Sequence, residues 1–173
     1  MTPTIIGIDP GISGAIAVLH PQQGTVRFAS MRMPVVGEKR RMIDGAACKE
    51  FLEPFIFDTD NGKRWETAIL ALEHVSAMPG QGVTSMFSFG TSFGFWLGFA
   101  AAMRIPVRLV RPQTWQKMLI GVGQGDTKER AAKECARRWP GAVNLQVKAN
   151  WPIADAALIA EYVRLTEGER GAT

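Results

Sequence analysis

The chain has 173 residues and a formal net charge of +4, enough for one domain with a full core and too little for two ordinary domains. Hydrophobic residues make up 46% of the chain and charged residues 21%, which argues against a disordered, collagen-like or coiled-coil protein. The two cysteines, Cys48 and Cys135, lack metal-binding spacing and are too few for a disulfide scaffold. We therefore expect one domain over residues 1–173 in a reducing, cytoplasmic compartment, with no signal peptide at the N-terminus.

The first half of the chain is predicted to begin with an antiparallel meander. Short apolar strands are expected at 4–9, 14–20 and 25–33, separated by turns at 10–11 and 21–24. Asp44 is expected to open a helix that reaches about Phe57, and a turn is expected at 58–62. The apolar segment 68–73 is typical of a strand that is buried on both faces.

The second half alternates helices with a strand. Helices are predicted over about 84–103, 112–119, 126–138 and 152–165, with a strand at 107–110. Pro112 suits the first turn of its helix, and Asp126 with Glu129 has the spacing of a capping box. The whole pattern predicts an α/β domain with a mixed five-stranded sheet and helices on both faces.

The segment between His74 and Met103 contains no Asp, Glu, Lys or Arg, and two interpretations of it are open. Three glycines with small-x-x-x-small spacing occur in it, as in packed membrane-spanning helices. However, serines and a threonine interrupt the run, and no basic cluster precedes it. We favour a core helix of a globular domain, with glycines that let another backbone approach and an apolar stripe of Phe89, Phe93, Trp96 and Ala100.

Positive charge is concentrated in one part of the chain. Ten Lys and Arg occur between Arg104 and Lys148 against three acidic residues, which leaves the remaining residues slightly acidic. An uneven distribution of this kind favours a polyanionic partner, although a solvated basic helix would give the same pattern.

Three carboxylates lie at the ends of apolar elements. Asp9 and Glu73 each end an apolar strand, and Asp155 shares a helix face with Leu158 and Ile159. No Lys or Arg lies within four residues of any of the three, and an unpaired carboxylate facing a core is costly. A shared divalent cation, Mg²⁺ or Mn²⁺, would explain all three. The alternatives are a turn residue for Asp9, a solvent-facing strand end for Glu73 and a helix-dipole partner for Asp155.

These motifs resemble a known family. The segments Ile6-Gly-Ile-Asp9-Pro-Gly-Ile-Ser-Gly14, Leu72-Glu73 and Ile153-Ala-Asp155-Ala-Ala-Leu158 are similar to the acidic signatures of RuvC-type Holliday junction resolvases, particularly phage and prophage forms. Residues 74–90 and 110–117 resemble further segments of those proteins, so the likeness covers nearly the whole chain. It implies an RNase H-like fold, a homodimer without a membrane segment, and action in the bacterial host cytoplasm if the protein is phage-encoded.

The resemblance also implies an activity and its site. It predicts a crossover junction endodeoxyribonuclease that cuts four-way DNA junctions, and other branched DNA, by paired nicks that leave 5′-phosphates. The catalytic and metal-binding residues would be Asp9, Glu73 and Asp155, which hold two Mg²⁺ or Mn²⁺ ions. The chain departs from the family where a fourth ligand is common, because Asn150 and Pro152 stand there. Asn150 is retained as a candidate ligand or, alternatively, as a helix cap.

Residues for DNA binding are predicted from charge and from aromatic character. Basic and amide side chains would contact phosphates, Lys148 is assigned to the scissile phosphate, and Phe87 would stack on unpaired bases. The full set is Gln81, Ser85, Phe87, Arg111, Gln113, Lys117, Lys128, Arg130, Lys133 and Lys148. The glycine-rich helix is the candidate dimer interface.

Other functions remain open at this point. The first glycine-containing turn also resembles the phosphate loop of sugar-kinase and actin-like ATPases, but those need two such domains. A branched-DNA-binding protein without catalytic activity and an RNase H-like nuclease that acts on RNA are the remaining alternatives. Cleavage of synthetic junctions with Mg²⁺ or Mn²⁺ discriminates among them.

Overall fold

A computed structural model describes residues 2–57, 68–74, 80 and 82–170 of the chain. The strands are β1 (Thr4–Asp9), β2 (Ala15–Gln22), β3 (Thr25–Arg32), β4 (Val35–Val36), β5 (Met42–Ile43), β6 (Ala68–Glu73) and β7 (Val107–Val110). The helices are α1 (Gly45–Ile56), α2 (Val83–Ala102), α3 (Pro112–Leu119), α4 (Thr127–Arg138) and α5 (Trp151–Arg170), preceded by a 3₁₀ turn at Lys148–Asn150.

The predicted elements are confirmed, with several differences at their ends. Strand β2 continues to Gln22, so the following turn is shorter than predicted, and α5 extends beyond Leu165 to Arg170. The small β4–β5 ribbon and the 3₁₀ turn were not predicted, because two-residue strands and single turns carry no periodicity. The turn expected at 58–62 lies outside the described residues.

The main sheet is mixed and has the strand order β3-β2-β1-β6-β7. Strands β1, β2 and β3 form an antiparallel meander, whereas β1, β6 and β7 are parallel. The carboxyl ends of the parallel strands therefore lie at one edge of the sheet. We call this edge the carboxyl edge.

Helices cover both faces of the sheet, as the sequence predicts. Alternate residues of a strand point to opposite faces, so Ile6 and Ile8 of β1 pack with α1 and α2, while Ile5 packs with α3 and α5. Helix α5 also packs with α4 through alanines and Cys135. The core thus consists of two apolar layers, one on each side of a buried central sheet.

Side chains fix where two of the helices begin. Asp44 accepts hydrogen bonds from the backbone N–H groups of Ala46 and Ala47, as expected of an N-cap. Asp126 caps α4 through the N–H of Lys128, but Glu129 forms an ion pair with Lys133 at 2.7 Å. The predicted reciprocal capping box is therefore replaced by a single cap and a surface ion pair.

Helix α2 buries one side and exposes the other. Trp96 and Ala100 are fully buried, as the predicted stripe requires, together with Ser92. The expectation that another backbone approaches the glycines is wrong within the described chain, because nothing lies within 4 Å of a Cβ built at Gly90, Gly94 or Gly98. No helix among the described residues is long and apolar enough to cross a membrane.

Candidate metal and DNA site

Two of the predicted carboxylates lie side by side at the carboxyl edge of the sheet. Strands β1 and β6 are parallel neighbours in which Ile8 is paired with Leu72, so Asp9 and Glu73 are the next residues on the two strands. Asp9 is followed by a tight turn in which the Gly14 N–H bonds the Gly11 carbonyl at 2.8 Å. A Cβ at Gly14 would overlap the Asp9 carbonyl oxygen, so glycine is required for this turn.

Helix α5 brings the third carboxylate to the same edge. It crosses β1 so closely that a Cβ at Gly7 would overlap the carbonyl oxygen of Ala156. This contact fixes the position of α5 along β1. Asp155 immediately precedes Ala156 in the same helix. Asp155 is half-buried at this position, while Leu158 and Ile159 on the same helix face are fully buried.

The pKa values show that the three carboxylates share one environment. Burial raises the pKa of Glu73 to about 7, and the negative charge of Asp9 adds to this effect. Burial likewise raises the pKa of Asp155 to about 7, with further increases from Asp9 and Glu73. Burial also raises the pKa of Asp9, against opposing effects of Lys128 and a backbone hydrogen bond from Gly11. The site is therefore an incompletely neutralised acidic cluster.

Two side chains from the neighbouring helices act on this cluster. The indole N–H of Trp115, a buried residue of α3, donates to Glu73 Oε1 at 3.0 Å. Lys128, in the first turn of α4, lowers the pKa of Asp9, Glu73 and Asp155. Neither residue was predicted in this role, because both lie far along the chain from the carboxylates they affect.

The chemistry of the donor set fits a hard divalent cation, although the side chains are not in a ligating arrangement. Carboxylate oxygens are the protein ligands that Mg²⁺ and Mn²⁺ prefer, and Mg²⁺ usually retains several of its waters. Over the described ranges, no group of three His, Cys, Asp or Glu side chains could hold a metal as it stands. Burial is the main cause of the raised pKa values of Glu73 and Asp155, and positive charge at the site would offset both this effect and the smaller repulsion among the carboxylates.

The two other residues predicted near the metal have different surroundings. The Asn150 side-chain N–H group donates to the Asn144 carbonyl at 3.0 Å, which braces the loop before α5. The Lys148 ammonium lies 5.3 Å from the centre of the Trp151 ring, in a cation–π contact. Lys128 is the cation that lowers the pKa of all three carboxylates, whereas the contact of Lys148 with the scissile phosphate stays a prediction.

Five of the predicted DNA contacts lie on exposed surface in two groups, one at α3 and one on α4. Arg111, Gln113 and Lys117 are exposed on or beside α3, and the latter two line an open groove of about 610 Å³ that Tyr162 of α5 also lines. Lys128 and Lys133 are exposed on α4, where Lys133 is paired with Glu129.

Arg130, also on α4, has a different environment. The guanidinium of Arg130 donates to the Gly121 carbonyl at 3.2 Å and packs against Gly123, so this side chain braces the loop before α4. Gln81 lies outside the described residues.

The start of α2 presents an exposed aromatic side chain. Phe87 is 78% exposed, and with Val83, Met86, Gly90 and Thr91 it lines an open groove of about 570 Å³. Ser85 is exposed in the same turn of the helix. An exposed phenylalanine on an uncharged helix face is a surface suited to contact with another molecule.

Comparison with known proteins gives a structural likeness only. No protein-family model matches the sequence, and no curated protein matches it significantly. The structure is similar to Thermus thermophilus RuvC, with a TM-score of 0.57 at 20% identity over 94% of this chain and 96% of that one. It is also similar to T. thermophilus RuvC in complex with Holliday junction substrate, with a TM-score of 0.62 at 18% identity over 95% and 96% of the two chains. The predicted RNase H-like α/β fold is thereby confirmed.

Proposed function

We propose that the protein is a metal-dependent endonuclease that resolves four-way DNA junctions by paired nicks. The observation that carries this proposal is the convergence of Asp9, Glu73 and Asp155 at the carboxyl edge of a sheet with the RuvC fold. The likeness to a RuvC structure in complex with Holliday junction substrate supports the choice of DNA substrate. A phage origin and a place in the host cytoplasm stay predictions.

The carboxylates of Asp9, Glu73 and Asp155 would together hold two Mg²⁺ or Mn²⁺ ions. When bound, such ions activate water for in-line attack on a phosphodiester and stabilise the leaving 3′ oxygen, which yields a 5′-phosphate. The chain's own contribution is positional. The Trp115 N–H holds one oxygen of Glu73, and the Gly11 backbone holds the carboxylate of Asp9.

Lys128 gives the site a fixed positive charge. Because it lowers the pKa of all three carboxylates against the larger effect of burial, it favours their ionised, metal-binding form. An exposed ammonium beside the carboxylates is also suited to neutralise a DNA phosphate that enters the site. We assign to Lys128 the role of phosphate stabiliser.

The remaining basic residues would bind the DNA arms. Arg111, Gln113 and Lys117 on α3 and Lys133 on α4 are exposed and can reach phosphates, which gives salt-dependent affinity with little base specificity. Phe87, with Ser85 beside it, would stack on bases that are unpaired at the junction.

Two copies of the chain would associate through the exposed face of α2 to form a two-fold dimer. Gly90, Gly94 and Gly98 leave open space where side chains would stand, and Leu97 is 39% exposed between them. Two symmetric nicks on a junction require two related active sites, and this uncharged face can bring two helices into close contact. Sedimentation should give twice the chain mass of 18.9 kDa, and Gly94→Arg should give the single mass.

Cleavage of defined substrates tests the proposed activity. Four-way, three-way and linear duplex DNAs and an RNA–DNA hybrid are incubated with Mg²⁺ or Mn²⁺, and the nick positions are mapped. We expect symmetric nicks on the four-way junction. Binding without nicks would contradict the enzyme assignment, and preferential cleavage of the hybrid would indicate a different nuclease.

A matched pair of variants connects the activity to the carboxylates. Asp9→Asn should reduce nicking at least about 100-fold, since the loss of even an outer partner of a metal ligand costs about 10–100-fold. Asp44→Asn is the control, because Asp44 caps α1, its charge is not among those that shift the pKa values of the three carboxylates, and Asn caps about as well. Parental nicking by the Asp9→Asn protein would show that the metal assignment is wrong.

A further inference from the structure

The β4–β5 ribbon, which carries no signal in the sequence, holds a concentration of positive charge. Val35 is paired with Ile43 and Val36 with Met42, so the tip of this hairpin consists of residues 37–41. Lys39, Arg40 and Arg41 at the tip are all exposed, and Glu38 is the single acidic residue there. Between described residues, no ion pair joins any of these three cations to a carboxylate.

The base of the ribbon is attached to the turn that follows Asp9. Strand β3 returns to the carboxyl edge, where Arg32 is paired with Ala15, and the Met33 N–H donates to the Gly14 carbonyl at 2.9 Å. Gly14 belongs to the tight turn after Asp9. The hairpin therefore leaves the sheet at the same edge as the carboxylates.

The ribbon is anchored rather than loosely attached. Val35 and Ile43 pack against the apolar core beneath α1 and α2, and the Asp44 N–H donates to the Pro34 carbonyl at 2.9 Å. Gly37 has φ +91°, and a Cβ there would lie 2.5 Å from the Arg40 carbonyl oxygen, so the turn depends on glycine. A hairpin held in this way presents its cations at a fixed place.

We propose that the hairpin tip, Lys39, Arg40 and Arg41, is a DNA-contact surface that binds the phosphates of a duplex arm beside the catalytic edge. Three exposed cations that form no ion pair with a described carboxylate match the regular negative charge of a duplex backbone. An extended chain rises about 3.3 Å per residue, so the tip lies within about 20 Å of Met33. On duplex DNA this distance corresponds to about six base pairs. This inference rests on the proposed function and adds a surface on the α1–α2 side of the sheet to the predicted contacts on α3 and α4.

The salt dependence of junction binding tests the proposal. Binding is measured in EDTA with a four-way junction from 50 to 200 mM salt for the parent and for the double variant Arg40→Gln/Arg41→Gln. If both arginines contact phosphates, the slope of log K against log salt should become shallower by about 1.8, since each contact contributes about 0.9. Arg40→Lys/Arg41→Lys keeps both charges and should keep the parental slope.

A control variant removes the same charge elsewhere. Arg27 lies on β3 opposite His20, towards the other edge of the sheet, and Arg137 is in the last turn of α4. Arg27→Gln/Arg137→Gln should leave the slope unchanged, which separates a local contact from a change in net charge.

The outcomes distinguish this proposal from the proposed function. A parental slope in the hairpin variant overturns the hairpin proposal, whether or not the protein nicks DNA. A shallower slope in the hairpin variant alone supports it, even if the parent binds junctions without nicking them and the proposed activity fails. Equal changes in the hairpin and control variants would show a net-charge effect and would also overturn it.

Discussion

The indole nitrogen of Trp115 donates a hydrogen bond to Glu73 Oε1 at 3.0 Å, between residues 42 positions apart in the chain. Trp115 is 1% exposed on α3, and Glu73 ends β6. This bond lowers the pKa of Glu73 against the larger effect of burial. A donor that fixes a metal-binding carboxylate also fixes which of its oxygens remains available.

Replacement of Trp115 by Phe should weaken metal binding while the fold is kept. The change removes the N–H donor, so the pKa of Glu73 rises further and its carboxylate loses its orientation. We expect the Mg²⁺ concentration for half-maximal nicking to rise about 10-fold or more. Trp96→Phe is the matched control, because the buried Trp96 N–H has no partner among the described residues. Equal metal requirements in the two variants would contradict a positioning role for Trp115.

Replacement of Lys128 by Met should shift the pH profile of nicking upward. Without this charge the pKa values of Asp9, Glu73 and Asp155 all rise, so a higher pH is needed before metal can bind. On the acidic limb of the profile, a pKa that is higher by about 1 lowers the ionised fraction of a carboxylate, and with it the activity, about tenfold. Lys133→Met removes an exposed cation of the same helix that is paired with Glu129, and its profile should match the parent's. If the rate falls at every pH and the profile does not shift along the pH axis, the effect of Lys128 on the carboxylate pKa values is contradicted. Only its contact with a DNA phosphate would then explain the loss.

The metal-free protein should lose stability as the pH rises through neutrality. Glu73 and Asp155 have folded-state pKa values of about 7, above their ordinary values of 4.5 and 3.8, so the folded state binds more protons than the unfolded state. The stability that these two carboxyl groups contribute is therefore complete at low pH and is lost as the pH rises to about 7. Denaturant unfolding in EDTA at pH 5.5 and pH 8 measures the difference, and Asp155→Asn should reduce it. Greater stability at pH 8 than at pH 5.5 would contradict the expected direction of this pH dependence.

Arg138 should contribute strongly to the free energy of unfolding, whereas the adjacent Arg137 should contribute little. Its guanidinium joins Glu134 of α4 at 2.7 Å to Glu161 of α5 at 2.9 Å, and Glu161 is only 4% exposed. Arg138→Met leaves that buried carboxylate with Arg164 as its one ion-pair partner among the described residues, which should cost about 3 kcal/mol. Arg137→Met removes an exposed partner of the same Glu134 and should change the free energy of unfolding little. Similar losses of unfolding free energy in the two variants would show that the bridge from Glu134 through Arg138 to Glu161 is not the source of the stability.

Asn150→Asp tests whether this position supplies a metal ligand. Asp cannot donate to the Asn144 carbonyl, so the loop bond is lost, at a cost of about 1 kcal/mol in stability. If the position is a ligand, the added charge should nevertheless raise the nicking rate and lower the Mg²⁺ requirement. Asn144→Asp is the control for added charge in the same loop. Coincident metal titrations for Asn150→Asp and the parent would restrict the protein ligands to Asp9, Glu73 and Asp155.

The sequence by itself determined the main elements and the identity of the acidic cluster. Periodicity and apolar runs suffice for the five long strands and five helices, because each is defined by residues close together in the chain. The isolation of Asp9, Glu73 and Asp155 from nearby cations was also visible, since an apolar element that ends in a carboxylate is a local pattern. These features depend only on neighbouring residues.

Only the tertiary structure decided which side chains act on that cluster. Trp115 and Lys128 reach it from α3 and α4, and no periodicity links them to Glu73. The assignment to Lys148 instead followed closeness in sequence to Asp155, whereas its ammonium lies over Trp151. The basic hairpin is likewise at the carboxyl edge because β3 returns there and Met33 bonds Gly14. Contacts of this kind depend on strand order and on how helices cross the sheet, which the packing of the whole chain sets.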